Sequence, residues 1–131
     1  MAELLRKLAS HKVNGCNDEL EIGVLDKPGH GGACHRYVIY RPFDSFNEEL
    51  NADPCVYISF QNGPIKEAGV NGITHETLLA ILIDRMEGFQ SGQYACQQNE
   101  FALACLRNAQ SVLKERTQQR LARGVEGTHE K

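Results

Sequence analysis

The sequence predicts an α+β protein: an N-terminal antiparallel β-sheet followed by a C-terminal antiparallel two-helix hairpin. Three observations predict it. Between about residues 17 and 62, apolar side chains alternate at period two, as in half-buried strands. Between about 74 and 123 they recur every three or four residues, as in amphipathic helices. The strands also precede the helices instead of alternating with them, which separates the two kinds of layer. At 131 residues the chain fits a single domain, 1–131, built from a sheet part (17–62) and a hairpin (74–123).

Residues 1–13 carry Leu4, Leu5 and Leu8 on one helical side and predict a short helix, ended by Asn14-Gly15. In ELEIGVL, Leu20, Ile22 and Val24 alternate with Glu19, Glu21 and Gly23, which predicts a strand. DKPGHGG is a turn. ACHRYVIYR reads as a second strand, with Val38 and Tyr40 on one face and Tyr37 and Ile39 on the other. Residues 42–54, with two prolines and several Asp and Asn, predict a long loop. CVYISFQ is the clearest strand, with Val56, Ile58 and Phe60 on one side. NGPIKEAGVNG predicts a connection. It is no Walker loop, because no Gly-Lys-Ser/Thr closes it.

Thr74 is placed to cap a helix with Glu76 in its first turn. That helix, HETLLAILIDRMEGFQ, is apolar nearly all round, through Leu78, Leu79, Ile81, Leu82, Ile83 and Met86. A small domain cannot cover every side of such a helix, so a subunit interface is expected there. Ser91-Gly92 breaks the helix. The next runs from about Gln97 to Arg123, with an expected buried stripe of Phe101, Ala102, Cys105, Leu106, Ala109, Val112 and Leu113, and Gly124 as C-cap. A short glycine-containing link makes the two helices antiparallel.

Composition narrows the function. Net charge is -3, which argues against long nucleic acids. Residues 107–123 hold five basic side chains against Glu115, or +4, leaving -7 for the rest. A compact positive stripe on an acidic body suits a small anion. No apolar run reaches the roughly 18 to 20 residues that span a bilayer. MAELLRKLASHK lacks the apolar core and cleavage site of a signal peptide, so a cytoplasmic protein is expected. The five cysteines include no CxxC pair and read as reduced, mostly buried thiols. Cys34 and His35 are adjacent, and His30 is near, but such close neighbours rarely converge on one ion, so no metal site is expected. No Ser/His/Asp or Cys/His arrangement and no paired carboxylates suggest catalysis.

Arg116, Arg120 and Arg123 lie at i, i+4 and i+7 and share a helix face. Basic residues favour a helix C-terminus, where the dipole is negative. Two guanidinium groups one turn apart also make a clamp for phosphate or pyrophosphate. Phe89 and Tyr94 flank the hairpin turn in GFQSGQY. They are core residues, or ring faces offered to a base. Asn99 either caps the second helix or serves as donor and acceptor to a base edge or ribose.

Two stretches taken together resemble a known family: NDELEIGVLDKPGHGGACHRYVI, and FQNGPIKEAGVNGITHETLLAILIDRMEGFQSGQYACQQNEFAL continuing to KERTQQRLARGVEGTHEK. They resemble the first-described family of phage Thoeris anti-defence proteins, sponges for cyclic ADP-ribose-type signals of bacterial immunity. The hairpin is also similar to that of phage anti-CBASS cyclic-nucleotide sponges. The resemblance spans about residues 17–41 and 59–129. It implies capture of glycocyclic ADP-ribose intact, without enzymatic activity, in pockets shared between subunits of a dimer or trimer of dimers. It also implies that cyclic di- or trinucleotides can be held at separate sites. By position, Phe89 matches the adenine-stacking aromatic, Asn99 a polar ligand contact, and Arg116 and Arg120 the phosphate-contacting arginines. Three departures lie nearby. Tyr94 stands where the family commonly has Phe, Gln97-Gln98 where it often has Arg-Glu, and Val112 where an aromatic is frequent. The alternatives to a sponge are a hydrolase that degrades the signal and an inhibitor that binds a protein through the hairpin.

Overall fold

A computed structural model of the chain describes residues 4–42 and 55–130. The predicted loop at 42–54 therefore falls, from residue 43, outside the described residues. The chain divides into two compact units, residues 1–63 and 64–131.

The first unit is a four-stranded antiparallel sheet in the order β1 (Arg6–Leu8), β2 (Glu21–Val24), β3 (Arg36–Tyr40) and β4 (Cys55–Ser59). Val24 and Val38 are fully buried. Val24 is paired with Tyr37 and Val38 with Gly23, so the two valines lie on opposite faces and neither face is wholly solvated. Tyr37 meets Phe60 edge-on, with ring centres 5.8 Å apart. The DKPGHGG turn is tied to β3 by Asp26, whose carboxylate accepts the backbone N–H of His35 and of Arg36, each at 3.0 Å. Partial burial pushes this carboxyl up, but the two amides and the nearby His35 and Arg36 outweigh it, and its pKa lies below the ordinary aspartate value.

The N-terminal segment corrects an expectation. It forms strand β1 rather than a helix. A helix of about ten residues with a scattered apolar face is marginal, whereas the open edge of β2 supplies ladder partners, and the Leu5 N–H donates to the Val24 carbonyl at 2.8 Å. Gly23 makes the close approach possible, because a Cβ there would collide with the Leu4 side chain. Asn14 does not end a helix but starts one: its side chain accepts the Asn17 N–H at 2.8 Å and caps α1 (Gly15–Glu19).

The second unit is helical, with α2 (Ile65–Ala68), α3 (His75–Gln90) and α4 (Gln97–Arg123). Thr74 and Gly124 cap as expected, but Cys96, not Asn99, is the N-cap of α4. Thr74 and Thr77 exchange side chain-to-backbone hydrogen bonds in a capping box. Cys96 Sγ accepts the Asn99 N–H at 3.4 Å. Gly124 ends α4 in the left-handed region, at φ +74°. The α3–α4 hairpin is antiparallel. The Gln90 side chain donates to the Cys96 carbonyl at 3.1 Å and accepts its N–H at 3.0 Å, which closes the turn. One turn further in, Arg107 and Glu87 pair at 2.6 Å.

The face that α4 buries is a second correction. Burial recurs at residues 99, 103, 106, 110, 113, 117 and 120, the three-four spacing of one seam, with Leu103 at its centre. Phe101, Ala102, Cys105, Ala109 and Val112, expected inside, are exposed. On α3, Ile83 is buried, while Ile81 and Leu82 are 63% and 46% exposed. Of the cysteines expected to be buried, Cys34 is, but Cys96 and Cys105 are exposed free thiols.

Candidate functional site

The hairpin presents two chemically different ends. At the turn lies an open groove of roughly 560 Å³, lined by Ile81, Asp84, Arg85, Gly88, Phe89, Gly92 and Tyr94. Ile81, Arg85, Gly88 and Gly92 recur at four-, three- and four-residue intervals, so the floor is one strip of α3 continued into the turn. Gly88 and Gly92 put no side chain in the way, and an added Cβ at either would meet nothing within 4 Å. Phe89 remains 38% exposed and Tyr94 68%. The Arg85 guanidinium carbon stands 5.1 Å from the centre of the Phe89 ring, within cation–π range. An aromatic face, a cation and a carboxylate thus share one open, largely apolar groove. Asn99 is at the same end of the hairpin, half-buried in the first turn of α4, outside the groove lining.

At the other end Arg120 is only 6% exposed. After Gly124 the chain turns back and offers it oxygens. Arg120 Nε donates to the Glu126 carboxylate at 3.0 Å, and Nη2 to the carbonyls of Val125 at 2.9 Å and Thr128 at 3.2 Å. Nη1 donates to the Glu130 carbonyl. The returning segment reaches α2 as well: the Lys66 N–H donates to the Gly127 carbonyl at 3.1 Å, and His129 pairs with Glu67 at 2.6 Å. Gly127 has a φ of +81°, and a Cβ there would stand 2.9 Å from Ile65, so both conformation and space require glycine.

The three arginines that share a helical spacing therefore differ in state. Arg120 is committed to its own chain, while Arg116 and Arg123 are exposed. Arg116 makes no hydrogen bond or ion pair among the described residues. It continues the exposed stripe of Phe101, Cys105 and Val112, not the buried seam. Nor does one chain bring Arg116 to Phe89. Gln90 reaches Glu100 across the turn, and Arg116 lies sixteen residues further along α4, roughly 24 Å at 1.5 Å per residue. Arg85 is the groove residue that the motif reading missed. Its i, i+4 spacing to Phe89 was the available signal. Among the described residues, no cluster of three or more His, Cys, Asp or Glu could hold a metal ion.

Residues 53–118 match the family model described as Acb2/Tad1, hairpin domain. Over 74 residues the chain is 45% identical to "Thoeris anti-defense 1" of Bacillus phage SBSphiJ7, a match covering 56% of this chain and 52% of that protein. The chain thus spans about half the length of this relative. The matched hairpin contains Phe89, Asn99, Arg85 and Arg116, whereas Arg120, Arg123 and the returning segment lie beyond it.

Proposed function

The chain belongs to the Acb2/Tad1 hairpin-domain family, and from that premise we propose that it is a phage sponge that captures a cyclic ADP-ribose-type immune signal and holds it uncleaved. The observation that carries the reading is the exposed Phe89 ring, set in an open groove beside a guanidinium, inside the matched hairpin. Such a ring offers a face to adenine, and base–aromatic stacking is worth about 1 to 3 kcal/mol. The ligand we assign is glycocyclic ADP-ribose, and capture takes place in the cytoplasm of the infected bacterium. The relative's name, Thoeris anti-defense 1, supports this class of target.

The pyrophosphate needs cations, and Arg116 is uncommitted. Because Arg116 lies far from Phe89 along the same hairpin, a complete pocket takes the ring from one copy and the arginine from another. The exposed stripe of Phe101, Cys105 and Val112, running up to Arg116, and the exposed Ile81 and Leu82 supply apolar surface for a second copy. A dimer or trimer of dimers is the assembly proposed, with cyclic di- or trinucleotides at separate sites. Arg120 serves the pocket indirectly, by ordering residues 125–130, and Arg123 adds exposed positive charge. Asn99 orients base or ribose.

Sequestration works by mass action: the sites must bind the signal more tightly than its receptor does, or outnumber it. The test is to titrate the protein calorimetrically with glycocyclic ADP-ribose, then denature the complex by heat and identify what is released. Intact ligand supports a sponge. A cleaved product shows a hydrolase, and the absence of binding heat, which a protein-binding inhibitor would give, overturns capture of this ligand.

A further inference from the structure

We propose that Arg85 is a ligand-contacting residue of the groove: its guanidinium leaves the Phe89 ring for the phosphates of an adenine nucleotide, and the base takes its place on that ring. The inference rests on the capture function proposed above and adds a cation that the α4 arginines do not provide. Arg85 and Phe89 are one helical turn apart on α3, with the guanidinium 5.1 Å from the ring centre. The ring is the partner of that guanidinium among the described residues, and Arg85 is exposed. A cation–π contact at an exposed position is weak, so exchanging it for a charge-assisted bond to phosphate is favourable.

Reach gives the second argument. A base stacked on Phe89 leaves its phosphates within a few ångströms of the groove, whereas Arg116 of the same chain is roughly 24 Å away. Arg85 is the arginine that lines the groove itself. Asp84 stands next to it in the same lining. A carboxylate repels phosphate and accepts from an amino or hydroxyl group, so the pair divides the groove into an anion end and a donor end. The guanidinium over the ring also keeps the unliganded aromatic face partly covered.

The experiment measures calorimetric binding of glycocyclic ADP-ribose at low and moderate salt to the parent, Arg85→Gln, Arg85→Lys and Phe89→Ala. Losing a charge-assisted bond predicts at least about tenfold weaker binding for Arg85→Gln, with a shallower salt dependence than the parent. Arg85→Lys should recover part of the loss, which a purely steric role would not produce. Because Arg85 is exposed, both variants should melt with the parent, and a lowered melting temperature in Arg85→Gln would count against the proposal. Parent-like binding by Arg85→Gln, with Phe89→Ala weakened, overturns the role of Arg85 and leaves the capture function standing. Failure of the parent to bind overturns the capture function, and the role of Arg85 with it.

Discussion

Two arginines of one helical unit make a natural comparison. Arg85, at the hairpin turn, is exposed and rests on an aromatic ring. Arg120, at the far end, is buried, and three carbonyls and the Glu126 carboxylate take up its donors. The residue type and the helical setting are the same, but the roles differ. An arginine whose fork is filled by its own chain is part of the architecture. One that only rests on an aromatic ring keeps its donors available to a ligand. Positive charge on a helix therefore says little about function until the partner of each guanidinium is known.

The largest effect should come from the filled fork. Arg120→Ala strands several part-buried acceptors, the Glu126 carboxylate among them, and an acceptor that loses its donor costs about 1 to 3 kcal/mol. Thermal and urea melts of the variant should show that loss, and limited proteolysis should cut first within residues 125–130. A variant as stable as the parent, with that segment still protected, would erase the distinction between the two arginines.

Next come the positions proposed to face the ligand. Arg116→Ala should weaken glycocyclic ADP-ribose binding by about 1.5 to 3 kcal/mol, the range for a hydrogen bond to a charged group, and Phe89→Ala by about 1 to 3 kcal/mol through lost stacking. Neither should lower the melting temperature much, because both side chains are exposed. Mixing the two variants sharpens the comparison. If each pocket draws its ring and its arginine from different copies, mixed assemblies should regain a fraction of intact pockets. Titration showing no regain would confine each pocket to a single chain.

The smallest effect belongs to a charge of intermediate commitment. Glu21, on β2, pairs with Lys12 at 2.5 Å and Lys7 at 3.3 Å and is partly exposed. The hydrogen bond from Lys12, and after it that from Lys7, outweighs desolvation and holds the carboxyl below its ordinary value of 4.5. A lowered carboxyl stabilises the fold above the unfolded-state value and loses that contribution as pH falls through the folded-state value. Glu21→Gln should therefore cost about 1 kcal/mol or less at pH 7. Its melting temperature should converge with that of the parent in acid, below about pH 4.5. A constant difference across pH would show that the pair contributes packing and not charge.

Much of this was legible in the residues alone. The period-two runs located β2, β3 and β4. Thr74, Gly124 and the broken turn at Ser91-Gly92 bounded the hairpin, because caps and breakers act through neighbouring backbone groups. Of the residues singled out by motif, Phe89 lines the groove and Arg116 is exposed, while Asn99 lies outside the groove lining. By contrast, the segment that forms β1 reads as a helix, since nothing in Leu4, Leu5 and Leu8 announces that the β2 edge is open to them.

Sequence by itself thus determined β2, β3, β4 and the two hairpin helices, where that hairpin begins and ends, and which side chains carry charge or an aromatic face. Tertiary structure decided which of those side chains are spent. The apolar residues of α4 spread over more than one face, and only contact with α3 chose the seam through Leu103 over the stripe through Phe101 and Val112. The spacing of Arg116, Arg120 and Arg123 is identical whether or not the chain turns back after Gly124, yet that return fills one guanidinium and leaves Arg116 open. Local spacing encodes direction along a helix. What a side chain meets in that direction depends on residues distant in sequence, whose placement is settled only when the chain has folded.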